Sequence, residues 1–135
     1  MATMHYIELI PSRETQARCD DCDDFTCRVN LRGNLGIDNA HETAVLLRAL
    51  VNGGIRRFII NLENLIYVDS TGIGTIIRIK KDVIKANGEL VLYNVPPKVN
   101  EVFELVNLKE FVKIFYSEHK ALEYLRNGQS TPTSS

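Results

Sequence analysis

Apolar residues stand at every second position from Phe25 through Cys27 and Val29 to Leu31, with polar residues between them. That is the period of a half-buried strand. His5 to Ile10 alternates more weakly and reads as a first strand. Phe58 to Leu62 is apolar throughout except for Asn61, which predicts a strand covered on both faces. Leu90 to Tyr93 and Val112 to Tyr116 read as two further strands. Helical spacing fills the intervals. Ala40, Ala44, Leu47 and Val51 share one side of a helix over 39–51, with Leu50 adjacent, Asn39 as a plausible N-cap and Gly53-Gly54 as its stop. Ile73, Ile76, Ile77, Val83 and Ile84 mark a helix over 72–87 that ends at Asn87-Gly88 and carries basic residues outside. Pro96-Pro97 opens a third helix with Val99, Val102, Phe103 and Val106 inward, and Ser117 N-caps a fourth through Leu125. Gly33 to Gly36 reads as a turn and 64–70 as a loop. The stretch 11–24 is polar and acidic without helical period, a long loop. Residues 127–135 have the composition of a disordered tail.

Strands alternating with helices imply an α/β fold with a mostly parallel sheet and crossover helices, to which the opening β-loop-β can add one antiparallel strand. At 135 residues the chain is expected to form one domain over 1–126, with 11–24 as a loop inserted after the first strand. A chain of this size buries roughly two-thirds of its unfolded surface, enough for a core without staples. No apolar run approaches the ~18–20 residues of a membrane span, and residues 1–6 lack the pattern of a signal peptide. A cytoplasmic protein without a membrane span is the expectation. The formal net charge of −1 argues against direct nucleic-acid binding. The basic residues Arg56, Arg57, Arg78, Lys80, Lys81 and Lys85 read as solvated faces.

Cys19, Cys22 and Cys27 are an odd set in a chain without an export signal, which argues against a disulfide framework. Cys19-x-x-Cys22 has no second pair to complete a metal site, and neither His5 nor His41 has ligand spacing. Asp20, Asp21, Asp23 and Asp24 would raise a nearby thiol pKa rather than lower it. No metal or cofactor is expected.

The segment Leu65-Ile66-Tyr67-Val68-Asp69-Ser70-Thr71-Gly72-Ile73-Gly74 joins the buried strand to the start of a helix. Free amides and the positive end of the helix dipole gather there. Ser70 or Thr71 can serve as N-cap, and Gly72 and Gly74 allow another surface to approach the backbone. One reading is that the segment is a helix cap and nothing more. Three catalytic readings fail on particular residues. A dinucleotide fingerprint needs glycine at Ile77, a nucleophile elbow needs glycine at Val68, and no phosphate-loop Lys follows. With no acid–base pair in evidence, an enzyme is not expected.

Asp69-Ser70-Thr71-Gly72-Ile73-Gly74 resembles the D-S-[ST]-G-hydrophobic-G signature of STAS domains of the anti-sigma factor antagonist type. Phe58-Ile59-Ile60-Asn61-Leu62 precedes it as in that family, and the resemblance extends over residues 25–126, through Asn94-Val95-Pro96-Pro97-Lys98-Val99 and the Leu108/Phe111 segment. It implies a STAS-type mixed sheet of about five strands with about four helices. It also implies a phosphorylation-controlled protein-binding switch that sequesters an anti-sigma factor kinase. Ser70 would be the phosphoacceptor, and Asp69, Thr71, Gly72, Ile73 and Gly74 its neighbours at the partner interface. The implied partners are a serine kinase of the GHKL ATPase type and a phosphatase. An alternative within the family is a scaffold subunit of a larger signalling assembly, or an accessory subunit of a membrane transport complex. The chain departs from the family at Gly36, where an Asp often stands. Asp38, two residues on, is the candidate to take that role.

Overall fold

The computed structural model describes residues 6–10 and 26–127. The acidic loop with Cys19 and Cys22, Phe25, and residues 128–135 lie outside the described residues. Five strands form one sheet in the order β1-β2-β3-β4-β5: β1 (Tyr6–Ile10), β2 (Thr26–Leu35), β3 (Arg57–Val68), β4 (Glu89–Tyr93) and β5 (Lys113–Phe115). β1 pairs antiparallel with β2, and the remaining pairs are parallel. The helices are α1 (Ala40–Asn52), α2 (Ser70–Lys85), α3 (Pro97–Leu105) and α4 (Glu118–Asn127). A 3-10 turn at Leu108–Glu110 precedes β5. This is the mixed α/β architecture the sequence predicts.

Each crossover steps to the next strand in the same direction. With the usual right-handed connection, α1, α2 and α3 all fall on one face of the sheet. The core agrees. Leu47 of α1, Ile76 of α2 and Phe103 of α3 join Phe58, Ile60, Leu90 and Leu92 in one cluster. After the last strand, α4 returns across the opposite face, where Ala121 and Leu125 pack on Ile59, Val91 and Tyr93. The unbroken apolarity of 58–62 therefore has its physical cause: alternate residues of β3 serve two separate clusters. Ser117 caps α4 as expected, its Oγ accepting from Lys120 N at 3.3 Å.

Several elements differ from the periodic reading. β2 continues through Gly33 to Leu35 where a turn was expected, and β3 continues to Val68 through the expected loop. The register explains both. Asn30 pairs with Asn61 but Arg32 with Asn64, and Gly33 pairs with Leu65 but Asn34 with Tyr67. Each irregularity adds one residue to β3 relative to β2, as a bulge does. Leu62, Leu65 and Val68 are all buried, so the inward residues recur every third position and the period-two signal is lost. In α2 the inward stripe is Gly72, Ile73, Ile76, Ile79 and Val83. Ile77 lies half-buried at its flank and Ile84 is exposed, as is Val106 just past α3.

Phe103 is 1% exposed beneath α3. Phe103→Ala is expected to cost about 3–5 kcal/mol, the range for emptying an aromatic core position. Urea unfolding followed by circular dichroism measures it, and an unchanged midpoint would contradict the core assignment.

Candidate functional site

The geometry centres on the junction between β3 and α2. Because β3 runs to Val68 and α2 begins at Ser70, Asp69 alone stands between them, extended at φ −112 and ψ −175. Its Oδ1 accepts from Gly72 N at 2.9 Å, and its carbonyl accepts from Ile73 N at 3.0 Å. Asp69 is thus the N-cap, where the sequence pointed to Ser70 or Thr71. Those two residues occupy the first helical turn instead, both exposed.

The same carboxylate reaches a second loop. Asp69 Oδ2 accepts from Ile37 N at 3.1 Å, and Asp69 N donates to Leu35 O at 3.3 Å. Two glycines let these segments close. A Cβ on Gly36 would lie 2.4 Å from Asp69 Oδ2, and one on Gly72 would lie 2.3 Å from Leu35 O. The space that a side chain at position 36 would need is filled by the cap itself. Gly72 is buried against its own chain, so its missing side chain admits the β2–α1 loop rather than an outside partner. Gly74 is exposed, and a Cβ there would meet nothing within 4 Å.

Asn39 sits at the N-cap of α1, but its side chain turns back instead of capping. Its Oδ1 accepts from Gly36 N at 2.9 Å and its Nδ2 donates to Asn34 O at 2.7 Å. The β2–α1 loop is therefore held from both sides, by Asn39 and by Asp69. Asp38 is exposed in this loop and makes no ion pair among the described residues. Ile73, among the residues expected near a partner, is 7% exposed and belongs to the core. Sequence reasoning missed three apolar side chains at this end of the sheet: Ile37 is 75% exposed, Ile66 71% and Tyr67 55%. The available signal was Ile66-Tyr67 directly before the Asp69 motif, but without the register nothing told their exposed faces from Leu65 and Val68.

The Gly72 amide holds the Asp69 carboxyl below its ordinary range; partial burial opposes this, and the Ile37 and Thr71 amides reinforce it. Ser70 Oγ takes no hydrogen bond among the described residues. Burial pushes the Cys27 thiol up to about 12, which makes it a poor nucleophile. No group of three or more His, Cys, Asp or Glu side chains suited to a metal occurs among the described residues. No described helix is long and apolar enough to cross a membrane.

The sequence pattern of the STAS domain matches residues 18–121. BtrV of Bordetella bronchiseptica, provisionally named an anti-sigma factor antagonist, is 35% identical over 85 residues, 63% of this chain and 71% of BtrV. The anti-sigma-B factor antagonist of Staphylococcus aureus (strain NCTC 8325 / PS 47) is 29% identical over 86 residues, 64% of this chain and 80% of that protein. Among solved structures, the Bacillus cell fate determinant SpoIIAA in its phosphorylated form has the same fold, with a TM-score of 0.62 and 20% identity over 89% of this chain and 97% of that one.

Asp69→Ala is expected to cost about 1–2 kcal/mol, since it removes an N-cap and the acceptor of a second amide. The folded pKa of Asp69 is lowered, so this stabilisation is fully present above the unfolded value of about 3.9 and is lost as pH falls through the folded value. Urea unfolding of both proteins should show the largest gap near neutrality, closing in acid. A gap that stays constant at low pH would show that the carboxylate is not its source. Gly72→Ala should destabilise by on the order of 1–3 kcal/mol, because the added methyl meets backbone rather than a side chain.

Proposed function

The chain belongs to the STAS-domain family, and on that premise we propose that it is an anti-sigma factor antagonist: a switch that binds and sequesters an anti-sigma factor kinase until Ser70 is phosphorylated. The observation that carries this reading is the presentation of Ser70. Its hydroxyl is exposed and unbonded in the first turn of α2, while the residue before it and the second residue after it are fixed against the β2–α1 loop. A nucleophilic serine needs a base to activate it. Ser70 instead offers itself to a catalyst that brings its own. In the transfer, Ser70 Oγ attacks the γ-phosphorus of ATP held by the kinase. The bond to the ADP oxygen breaks, and the hydroxyl proton passes to a base on the kinase. A phosphatase would return the serine to its binding form.

The likeness to SpoIIAA, known in a phosphorylated form, supports a fold that tolerates such a group. So does the site, because a helix N-terminus accepts an anion. The disruption then falls on the interface. Phosphate adds about −1.5 to −2 charges. Each unit charge set against a partner carboxylate at about 4 Å, with an effective dielectric near 20, costs on the order of 4 kcal/mol. That is roughly a thousandfold in affinity. Asp69, the preceding residue, already carries a carboxylate, so phosphate adds like charge to that surface.

Incubation with ATP and the anti-sigma kinase of the same organism, read by intact mass and peptide mapping, should place one phosphate on Ser70. Ser70→Ala should take up none and keep its stability. Ser70→Glu should bind the kinase at least tenfold more weakly, as a charge at the interface predicts. Phosphate on the Ala variant would move the acceptor to another residue, Thr71 first. Absence of both phosphate and kinase binding in the native protein would overturn the reading.

A further inference from the structure

The basic residues that look equivalent along the sequence have different fates in the fold. Lys80 is bound to Glu89 at 2.5 Å, and Arg56 donates to the carbonyls of Val51 and Ile55. Arg48 pairs with Asp82 at 3.3 Å, which occupies the one carboxylate that α2 carries. Arg78, Lys81 and Lys85 have no ion pair or hydrogen bond among the described residues and are exposed. Spacings of three and four residues place them on one stripe of α2 with Thr71 and Gly74. From Gly74 to Lys85 that stripe is about 16 Å long at the helical rise of 1.5 Å per residue. Neighbours of like sign at these spacings repel, and only Lys85 gains from the helix C-terminus. Nothing described within the fold compensates Arg78 and Lys81. The stripe is positive on a protein whose net charge is −1.

We infer that the Arg78-Lys81-Lys85 stripe seats an acidic segment of the protein partner that Ser70 controls, with Gly74 giving that segment clearance past the phosphoacceptor. The inference rests on the proposed role of Ser70 and names the chemistry of what binds beside it. Continuity supports it, because the stripe begins in the turn that presents Ser70. Charge complementarity supports it, because three unpaired cations stand in a row. The flank supplies some apolar surface, Ile84 being 47% exposed with Ile77 half-buried above it. A segment mixing carboxylates with apolar residues fits such a border. The stripe also says why a phosphate at its head would release the partner: an acidic segment drawn to the cations meets like charge where it enters. A nucleic acid fits less well. Three cations on one helix make few phosphate contacts, and the chain has no basic excess.

The test uses the full chain, labelled for nuclear magnetic resonance, with poly-L-glutamate as the acidic probe. A DNA duplex and vesicles containing phosphatidylserine are titrated in parallel. Poly-L-glutamate is expected to shift the amides of Gly74, Arg78, Lys81 and Lys85 at low salt, and high salt should reverse the shifts. The triple variant Arg78→Glu, Lys81→Glu, Lys85→Glu should weaken that binding at least tenfold, and the triple glutamine variant should fall between. The glutamine set also controls for any loss of folding. In a kinase-binding assay the same variants should lose affinity while Ser70 stays unmodified. No shift on the stripe, shifts centred elsewhere, or tighter binding of the duplex or the vesicles at the stripe would each overturn the inference. The two readings separate cleanly. A stripe that ignores poly-glutamate while Ser70 still accepts phosphate removes this inference alone. A stripe that binds while Ser70 takes no phosphate removes the switch and leaves the docking surface.

Discussion

The carboxylate of Asp69 accepts from two amides that belong to different parts of the chain, Gly72 at the start of α2 and Ile37 just after β2. With Asp69 N bonded to Leu35 O, the two connections at this end of the sheet become one unit. Everything at the candidate site depends on that join. It sets where α2 begins, and so places Ser70 in the first turn rather than at the cap. It also requires glycine at 72, where a Cβ would meet the Leu35 backbone, and leaves room for a side chain at 36 only if the Asp69 carboxylate shifts. A charged acceptor for backbone amides is stronger than a neutral one, which suits a residue that holds two loops together beside an exposed serine.

That join is possible only because β3 is long. Its two bulges carry the strand past the end of the two-sided core and bring Val68 opposite Leu35. The centre of β3 is locked between α1 and α2 on one face and α4 on the other, through Phe58 and Ile60 against Ile59. A site at the end of a strand gripped this way has little freedom to adjust its backbone. On the proposed reading, a phosphate on Ser70 would therefore act on the surface rather than be absorbed by rearrangement.

The distribution of charge follows the same division. Lys80, Arg48 and Arg28 are each matched to a carboxylate that ties one element to another: Glu89 on β4, Asp82 on α2 and Glu118 on α4. The cations of the outer α2 stripe have no such role. Exposed ion pairs contribute little to stability, so leaving these three unmatched costs the fold little, as the proposed docking stripe needs.

Local sequence determined a good deal. The helical spacing in α1 and α2 and the unbroken run at 58–62 each report a burial pattern that neighbouring residues alone encode. The alternation at 27–31 marked the strand but not its burial, since Thr26 and Asn30 on the other face of β2 are buried as well. The Asp69-Ser70-Thr71-Gly72 motif pointed to the candidate site. The ends of β2 and β3 were not legible, because bulges break the period on which such reading depends. Nor was the identity of the cap, since Asp69, Ser70 and Thr71 are all competent caps. The choice fell to the strand, which ends at Val68 only because it pairs with a segment more than thirty residues earlier. Why Gly36 is glycine, and which of six clustered basic residues are unpaired, likewise rest on contacts between distant segments. A sequence carries its periodicities locally, but a hydrogen-bond partner or a close approach exists only once the chain has folded, and there the tertiary structure alone decided.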